Sequence, residues 1–552
     1  MSNARLKIIS SYNKCFSDAD FSAYSEISRA NVLKDDVFSF EALFLPETNA
    51  EITLFCDGKL AKYSKIYEIR DVFVKMPAYR DRYDDDYLNN RQPGMYPDLM
   101  IPLSENDRVS VSAGTLKSFW IEISIPENAI SETSVITVGV KDKDENILFE
   151  NKLEIEVIGA VLPKQELIYT NWFHCDCLSS YYAIDVFSEK HWQIIENFAK
   201  TAADSGMNMI LTPVFTPPLD TEVGGERPTV QLVGVKKLGD TYEFDYTLCD
   251  RWFEMCKRLG IEYFEISHLF TQWGAEHAPK IIADVNGEKK QIFGWNTDSL
   301  SDEYIGFVRQ FIVSFKEYLK SKDLLKKAMF HISDEPIKEH LPRFLKIREK
   351  LSDVLSDCMC GDALSEYEFM SSGAVSTPIP GTNSIVPFIQ NKVPDLWCYY
   401  CCSQNTAVSN RFVAMSMNRT RVLGTQLFKY DIVGFLQWGY NFYYSQYSKH
   451  IIDPYTCNDG GGWVPAGDAF SVYPAPDGTA YPTLHIKSFT QGLYDLRAFR
   501  LLESLSSKEH AVKFIEDFAN YNITFSDYPR QDDFCEKLRF AVNKKIADLI
   551  SK

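Results

Sequence analysis

The sequence predicts an α/β protein in which an antiparallel β-sandwich precedes a (β/α)8 TIM-type barrel, with closing helices at the C-terminal end. Its 552 residues exceed one ordinary compact core, so two or three domains are expected. Up to about residue 160, short alternating apolar runs are separated by turn residues, which is typical of sandwiches. Beyond that point, apolar runs alternate with amphipathic segments, which is typical of parallel β/α units. We assign 1–160 to the sandwich, 161–505 to the barrel and 506–552 to a helical extension packed on the barrel.

The sandwich strands are predicted from period-two alternation. The clearest runs lie at 36–45, 50–60, 119–126 and 134–159. The polar loop 82–98 carries the acid run Asp84-Asp85-Asp86. A solvated loop is favoured there over a cation site, because the spacing does not match a calcium-binding loop.

Eight barrel strands are predicted after residue 160. They lie at 166–173, 207–215, 261–270, 327–334, 356–364, 395–402, 433–440 and 468–474. Helices with apolar residues at helical spacing are predicted at 190–206, 247–260, 304–322 and 343–355. The segments 485–505 and 507–552 are predicted to close the chain as helices.

Charge and cysteine content argue against several classes of partner. A formal net charge of −18 repels nucleic-acid phosphates and anionic lipid, so neither partner is expected. No apolar run is long enough to cross a bilayer. The 13 cysteines are an odd number, which indicates free thiols in a reducing compartment. The segments 174–177 and 358–361 lack the CxxC spacing of a structural zinc site, so no metal and no cofactor are expected.

The N-terminal residues predict a cytoplasmic location. Residues 1–18 contain neither an apolar signal core nor a small-residue cleavage site. The segment Ser2-Asn3-Ala4 is also compatible with a cloning remnant that replaced a native leader, and the oligomeric state is left open.

Two adjacent carboxylates, Asp334 and Glu335, stand in the segment FHISDEP, after a β-like run and before Pro336. Neighbouring residues of a regular strand point to opposite faces, but at the end of a strand both can turn toward the barrel mouth. By the count above, the pair ends the fourth barrel strand, on the face where barrel enzymes build their active sites. A helix N-terminus is the alternative interpretation of such a tripeptide. The position after a barrel strand favours a functional pair.

A close pair of carboxylates suits glycoside hydrolysis, because repulsion keeps one member protonated beside an ionised partner. An ordinary retaining enzyme takes its nucleophile from another strand, often the seventh, where this sequence has Gln437. In the substrate-assisted variant, the 2-acetamido group of the sugar attacks its own anomeric carbon. The protein then supplies an acid and a carboxylate that holds the acetamide N–H, a division of labour that an adjacent pair can serve.

Several segments resemble glycoside hydrolase family 123, the retaining β-N-acetylgalactosaminidases and their relatives. HISDEP (331–336) resembles the catalytic pair of that family, and GMYPDLMIPL (94–103) with SFWIEISIP (118–126) its N-terminal sandwich. LWCYYCC (396–402), the segment 410–444 and GDAFSVYPAPDG (467–478) resemble the C-terminal half of its barrel. The resemblance covers most of the chain. It implies that Asp334 orients the acetamide and Glu335 is the general acid/base, with an oxazolinium intermediate and a glycan or glycoconjugate ending in β-linked N-acetylgalactosamine as substrate.

Aromatic and polar residues near the predicted strand ends are candidate sugar contacts. Aromatic rings stack on the apolar face of a pyranose, and the hydroxyl of Tyr367 or Tyr399 is a candidate donor to the acetamide oxygen. The candidates are Asn171, Trp172, His174, Tyr367, Trp397, Tyr399, Trp438, Tyr440, Asn441 and Asp468.

Two other functions stay open at this point. A two-carboxylate glycosidase acting on sugars without an acetamido group would take its nucleophile from Asp362, Glu366 or Glu368, after the fifth strand. A catalytically silent carbohydrate-binding protein would need no acid, and the intact pair Asp334–Glu335 argues against it.

Overall fold

The computed structural model describes residues 5–79 and 88–551, so the acid run Asp84–Asp86 lies outside the described residues. Ten strands form the N-terminal part: β1 (Arg5–Ser10), β2 (Arg29–Lys34), β3 (Asp36–Leu45), β4 (Ala50–Asp57), β5 (Ser64–Val74), β6 (Gly94–Leu103), β7 (Val109–Val111), β8 (Lys117–Ile125), β9 (Thr133–Lys141) and β10 (Ile147–Val161). They make two five-stranded sheets, in the orders β1-β3-β8-β5-β6 and β2-β10-β9-β4-β7. The pair β2–β10 is parallel, which differs from the predicted antiparallel sandwich.

Side-chain alternation along β10 shows how the sandwich core forms. Leu153, Ile155 and Val157 are buried in the core between the sheets, whereas the intervening Glu154 and Glu156 are more exposed. Since successive side chains of a strand point to opposite faces, the period-two pattern places one apolar row in the core.

Fourteen further strands follow: β11 (Ile168–Asn171), β12 (Met209–Thr212), β13 (Gly234–Leu238), β14 (Thr241–Asp245), β15 (Tyr263–Ile266), β16 (Ile281–Val285), β17 (Glu288–Phe293), β18 (Ala328–Phe330), β19 (Met359–Leu364), β20 (Thr377–Pro380), β21 (Trp397–Tyr399), β22 (Gly434–Gln437), β23 (Val472–Pro474) and β24 (Ala480–Pro482). Eight of them form one parallel sheet in the order β20-β19-β18-β15-β12-β11-β22-β21. A parallel bridge between Gly381 and Tyr399 joins its two ends, so the sheet is a nearly closed barrel. The sheet β14-β13-β16-β17 and the pair β23–β24 lie outside the barrel sheet.

Twelve α-helices accompany these strands in the described residues: α1 (Cys175–Tyr182), α2 (Glu189–Asp204), α3 (Thr247–Leu259), α4 (Asp302–Ser321), α5 (Leu341–Leu355), α6 (Glu368–Ser371), α7 (Val386–Gln390), α8 (Met417–Arg421), α9 (Leu423–Lys429), α10 (Leu484–Ser504), α11 (Lys508–Ala519) and α12 (Phe534–Ile550). Polar caps set where the long helices begin. Ser188, Ser301 and Thr483 each accept a hydrogen bond from a backbone N–H in the first turn of α2, α4 and α10.

The predicted strand count is wrong in its second half, because the sequence pattern predicts no strand at β20. The predicted sixth strand therefore contains the seventh, β21, and the predicted seventh contains the eighth, β22. The segment 468–474 is not a barrel strand, since β23 pairs antiparallel with β24.

The missed strand contains Pro378 and Pro380, and its position explains why they are tolerated. The N–H of Gly381 donates to Leu364 of β19, whereas the N–H of Thr382 donates to Tyr399 of β21. Backbone N–H groups point alternately to the two neighbouring strands, so the positions of Pro378 and Pro380 face β21. On that side β20 forms a single bridge rather than a continuous set of hydrogen bonds, so the N–H that proline lacks is not needed. The prolines thus mark the seam of the barrel.

The last helix contacts the sandwich as well as α10. On α12, Arg539 forms ion pairs with Asp36 of β3 and with Asp495 of α10. The side-chain amide of Asn543 donates to the carbonyl of Asn31 in β2 at 3.1 Å. The C-terminal segment therefore bridges the sandwich and the helix that follows the barrel.

Candidate active site

The adjacent carboxylates lie just beyond the end of β18, the fourth barrel strand. The turn is held on both sides, since Trp273 N–H donates to the Asp334 carbonyl and Glu335 N–H to the Ala363 carbonyl, both at 3.1 Å. Glu335 has a φ of +41°, a left-handed conformation that costs a non-glycine residue roughly 1–3 kcal/mol. The turn interrupts the alternation of a strand, and both residues line one cleft.

The cavity volume of this cleft is about 70 Å³, well below the roughly 300–1,000 Å³ of sites that enclose a drug-sized ligand. Its lining consists of Trp172, Asp220, Trp273, Asp334, Glu335, Ala363, Tyr399, Cys401, Cys402, Leu436, Trp438 and Trp463. Among these described residues, the ionisable groups are carboxyls, thiols and a phenol, with no Lys, Arg or His. The site is an aromatic cleft with an acidic floor.

Burial and charge both act on Asp334, whose side chain is 8% exposed. Loss of solvation is the larger cause, and the charges of Glu335 and Asp220 add to it, so the pKa of Asp334 is raised well above its usual range. Asp334 therefore keeps its proton to a higher pH than an exposed aspartate does.

Glu335 is held in place from β21 and the residues after it. The Tyr399 hydroxyl donates to Glu335 Oε1 at 2.7 Å, and Cys401 Sγ lies 3.7 Å from the same oxygen. Burial, followed by the charge of Glu335, raises the pKa of Tyr399, so its phenol stays protonated and remains a donor. One Glu335 oxygen is thus oriented by the protein.

A buried ion network supports the turn that carries the pair. His331 Nε2 lies 2.6 Å from Glu265 Oε1, and its Nδ1 lies 3.4 Å from Asp362 Oδ1. Asp362 Oδ1 also accepts the N–H groups of Ile332 and Ser333 at 3.0 and 3.2 Å. Burial alone would lower the pKa of His331, but Asp362 and Glu265 outweigh it and raise that pKa to about 10. The buried His331 therefore favours its charged form, three residues before the pair begins.

We expect His331 to remain an imidazolium at pH 8. Because its folded pKa of about 10 lies above the ordinary 6.5, the stability it contributes is fully present below pH 6.5 and is lost as pH rises through 10. NMR of ¹³C-labelled histidine rings checks this directly. One of the 9 histidine signals should keep its protonated shift at pH 8 and vanish in His331→Gln. His510→Gln, at an exposed position of α11, is the matched control, and nine neutral rings at pH 8 would contradict the expectation.

The barrel and its acidic cleft coincide with a sequence match. The profile of the glycoside hydrolase 123 catalytic domain matches residues 172–502, more than half of the chain. This chain belongs to glycoside hydrolase family 123. The predicted family is thereby confirmed, and the chain is a glycoside hydrolase.

Two solved structures are similar to this chain to different degrees. A family 123 glycoside hydrolase from Clostridium perfringens, whose structural analysis concerned glycolipid glycan hydrolysis, is similar over 100% of both chains, with a TM-score of 0.74 and 16% identity. A β-glucuronidase from Parabacteroides merdae is similar over 82% of this chain and 49% of its own, with a TM-score of 0.32 and 10% identity. No curated protein sequence matches this chain. At 16% identity, the first similarity shows that the fold is shared.

Three of the predicted sugar contacts of this family 123 hydrolase line the cleft: Trp172, Tyr399 and Trp438. Each indole N–H is taken by a buried carboxylate, since Trp172 Nε1 donates to Glu265 Oε1 at 2.7 Å and Trp438 Nε1 to Asp468 Oδ2 at 3.0 Å. These hydrogen bonds fix the orientation of the two indole rings that line the cleft. Asp468 is fully buried and positions Trp438.

The other predicted contacts lie outside the lining: Asn171, His174, Tyr367, Trp397, Tyr440, Asn441 and Asp468. Two of them bond to each other, since the His174 N–H donates to Asn441 Oδ1 at 2.8 Å and Asn441 Nδ2 donates to the His174 carbonyl at 3.1 Å. The Tyr440 hydroxyl donates to the Phe198 carbonyl at 2.8 Å. Their polar groups are used inside the fold.

Packing accounts for the remaining three. Trp397 is 2% exposed and lies against Gly434, where an added Cβ would meet its ring. The Tyr367 ring packs edge-on against Phe388, with ring centroids 5.1 Å apart. Asn171 is fully buried, with hydrogen bonds to neighbouring hydroxyls. Aromatic and polar residues near strand ends can serve the core as readily as a cleft.

The candidate nucleophiles of a two-carboxylate mechanism are also outside the cleft lining. Asp362 is committed to His331 and to backbone N–H groups, Glu366 is exposed, and exposed Glu368 pairs with Lys338 at 3.0 Å. The true seventh strand, β21, is followed by Tyr400 and the two cysteines, so it also offers no carboxylate.

Seven lining residues were not predicted as site residues, and three of them carry a carboxylate or an indole: Asp220, Trp273 and Trp463. They come from long loops, after β12, after β15 and after β22. A carboxylate and two indoles in loops after barrel strands were the only signals available, and many residues of this chain share them.

Within residues 5–79 and 88–551, no three His, Cys, Asp or Glu side chains are arranged to hold a metal ion. Over the same residues, none of the helices combines the length and the apolar character that a bilayer crossing requires.

Proposed function

We propose that this chain is a retaining exo-glycosidase that releases β-linked N-acetylhexosamine, with N-acetylgalactosamine preferred. The observation that carries the proposal is that Asp334 and Glu335, consecutive residues, line one aromatic cleft. The cleft lies at the carboxyl ends of strands in a barrel that we interpret as TIM-type, where such enzymes place their chemistry. Family membership supports glycoside hydrolysis, and the glycolipid glycans named for the Clostridium perfringens enzyme support a glycan or glycoconjugate substrate.

In this proposal Glu335 protonates the leaving oxygen while the acetamide oxygen of the substrate attacks the anomeric carbon. Asp334 accepts the acetamide N–H and stabilises the oxazolinium as positive charge develops. A hydrogen bond from that N–H favours the ionised form of Asp334, so substrate binding opposes the rise in its pKa that burial causes. Glu335 then takes a proton from water, whose attack on the oxazolinium restores the β-configuration.

One observation favours the two-carboxylate alternative, since Asp220 is a third carboxyl in the cleft. Burial is the main cause that raises the pKa of Asp220 to about 7, and the charge of Glu335 adds to it. A nucleophile must be ionised to attack, and this carboxyl is largely protonated below neutral pH. Substrate assistance therefore suits the cleft better.

A panel of nitrophenyl glycosides tests the mechanism class. We expect hydrolysis of the β-N-acetylgalactosaminide, slower hydrolysis of the β-N-acetylglucosaminide and none of the β-galactoside, because only the first two carry the internal nucleophile. Replacing N-acetyl by N-trifluoroacetyl should slow the reaction strongly, since fluorine withdraws electrons from the attacking oxygen. Turnover of the plain galactoside, or indifference to fluorine, would favour a nucleophile from the protein.

A further inference from the structure

We propose that Asp220 is a sugar-contacting residue that makes the cleft select neutral hexosamines against anionic ones, such as those carrying a sulfate or a carboxylate. This inference rests on the proposed function, because it concerns the same cleft.

The loop after β12 fixes Asp220 in an unfavourable backbone conformation. Its φ is +44°, a left-handed value that costs a non-glycine residue roughly 1–3 kcal/mol. Its N–H donates to the Gln272 side-chain oxygen, and its carbonyl accepts a hydrogen bond from Ser448 Oγ at 2.6 Å. Two different loops thus hold the residue at the cleft wall. Strain kept in this way is common where a side chain must be aimed at a ligand.

The cation whose charge acts on Asp220, Arg227, is paired with another carboxylate. Arg227 lowers the pKa of Asp220 by its charge, but its guanidinium forms a buried bidentate pair with Asp176, at 2.7 and 2.9 Å. Within the described residues, Asp220 forms no ion pair of its own. Gln272 also hydrogen-bonds the Asp220 carboxyl, whose two oxygens keep further capacity for the hydroxyl groups of a ligand.

The composition of the lining determines which ligands are rejected. Asp220, Asp334 and Glu335 are acidic, and the described lining has no Lys, Arg or His. Proteins bind sulfates and carboxylates with guanidinium, ammonium or clustered N–H groups. An anionic sugar would lose its hydration here and find no cation to replace it, whereas the hydroxyls of a neutral sugar find acceptors.

The test compares a nitrophenyl β-N-acetylhexosaminide with its 6-sulfate, using wild type, Asp220→Asn and Ser448→Ala. We expect wild type to prefer the neutral substrate. Asp220→Asn should lose about 10- to 100-fold in kcat/KM on that substrate, the usual worth of a hydrogen bond to a charged group. Its loss on the sulfated substrate should be at least tenfold smaller. Ser448→Ala loosens the same loop but keeps the carboxyl, so its melting temperature should fall while the selectivity ratio stays unchanged.

Equal losses on both substrates in Asp220→Asn, or a wild type that accepts the sulfate equally well, would overturn the inference. Asp220→Gly is the second variant, because glycine adopts the left-handed backbone freely while removing the carboxyl. Calorimetric binding of N-acetylgalactosamine and its 6-sulfate measures the same ratio without turnover. A wild type inactive on every acetamido substrate would contradict the proposed function. If wild type and Asp220→Gly instead show the same ratio of affinities for N-acetylgalactosamine and its 6-sulfate, only the role of Asp220 is contradicted.

Discussion

Replacing Glu335 by glutamine is expected to lower kcat/KM by about 10²–10⁴ on substrates with a poor leaving group, the usual worth of a positioned general acid. Glutamine keeps an oxygen that can accept the Tyr399 hydroxyl, so the cleft should keep its shape while losing the proton. A nitrophenyl leaving group needs little protonation, so its release should suffer less than that of an alkyl alcohol. The comparison of an alkyl and a nitrophenyl glycoside, assayed with both proteins, measures this difference.

Azide provides an independent check on the same variant. It attacks the oxazolinium without needing a base, so it should restore turnover to Glu335→Gln and yield the β-glycosyl azide. Glu366→Gln, which changes an exposed glutamate after the fifth strand, is the matched control and should retain full activity. If Glu335→Gln turns over the alkyl glycoside at the wild-type rate, Glu335 is not the acid.

Replacing Asp334 by asparagine is expected to lower kcat on acetamido substrates by about 10²–10³, the cost of removing one group that stabilises charge in a transition state. Binding of the substrate in the ground state should weaken less than stabilisation of the transition state, since Asp334 acts mainly as positive charge develops on the acetamide. A thiazoline that mimics the bicyclic intermediate should therefore lose more affinity than the product sugar. Inhibition constants for both ligands, measured with wild type and variant, give the two losses.

Asp144→Asn, in the exposed hairpin between β9 and β10, controls for the loss of one negative charge elsewhere in the chain. If the thiazoline inhibits wild type and Asp334→Asn with equal inhibition constants, Asp334 does not orient the acetamide. The carboxylate that orients the nucleophile would then have to be Asp220, the remaining acid in the cleft.

The barrel could be predicted from the sequence as far as apolar pattern and turn residues determine it. The first five barrel strands lie inside the predicted segments, because each is a buried apolar run followed by a helical period. The sixth strand, β20, was not predicted because proline usually argues against a strand. Pro378 and Pro380 are tolerated because they face β21, to which β20 is joined by a single bridge. The seam between β20 and β21 is a property of the closed sheet.

The catalytic pair could be located from sequence for a local reason, and most of its surroundings could not. Asp334 and Glu335 are adjacent, so one tripeptide at a strand end contains both. Asp220 reaches the cleft from a loop more than a hundred residues away, and no spacing rule connects it with them. Residues such as Tyr440 and Asn441 share the composition of a sugar site, yet their hydrogen bonds are made inside the fold. Whether a strand-end residue faces the cleft or the core depends on tertiary packing.

The bridge that α12 makes between the sandwich and α10 has a consequence for the order of events during synthesis. The partners Asp36 and Arg539 are separated by 503 positions, and chains elongate at roughly 5–20 residues per second. The surface of β2 and β3 that will receive the helix therefore waits on the order of 25–100 s before its partner leaves the ribosome. During that interval the sandwich can complete its own core, but its docking face stays open to solvent and to chaperones. The docking of α12 onto the sandwich is thus a late step in the assembly of the two parts.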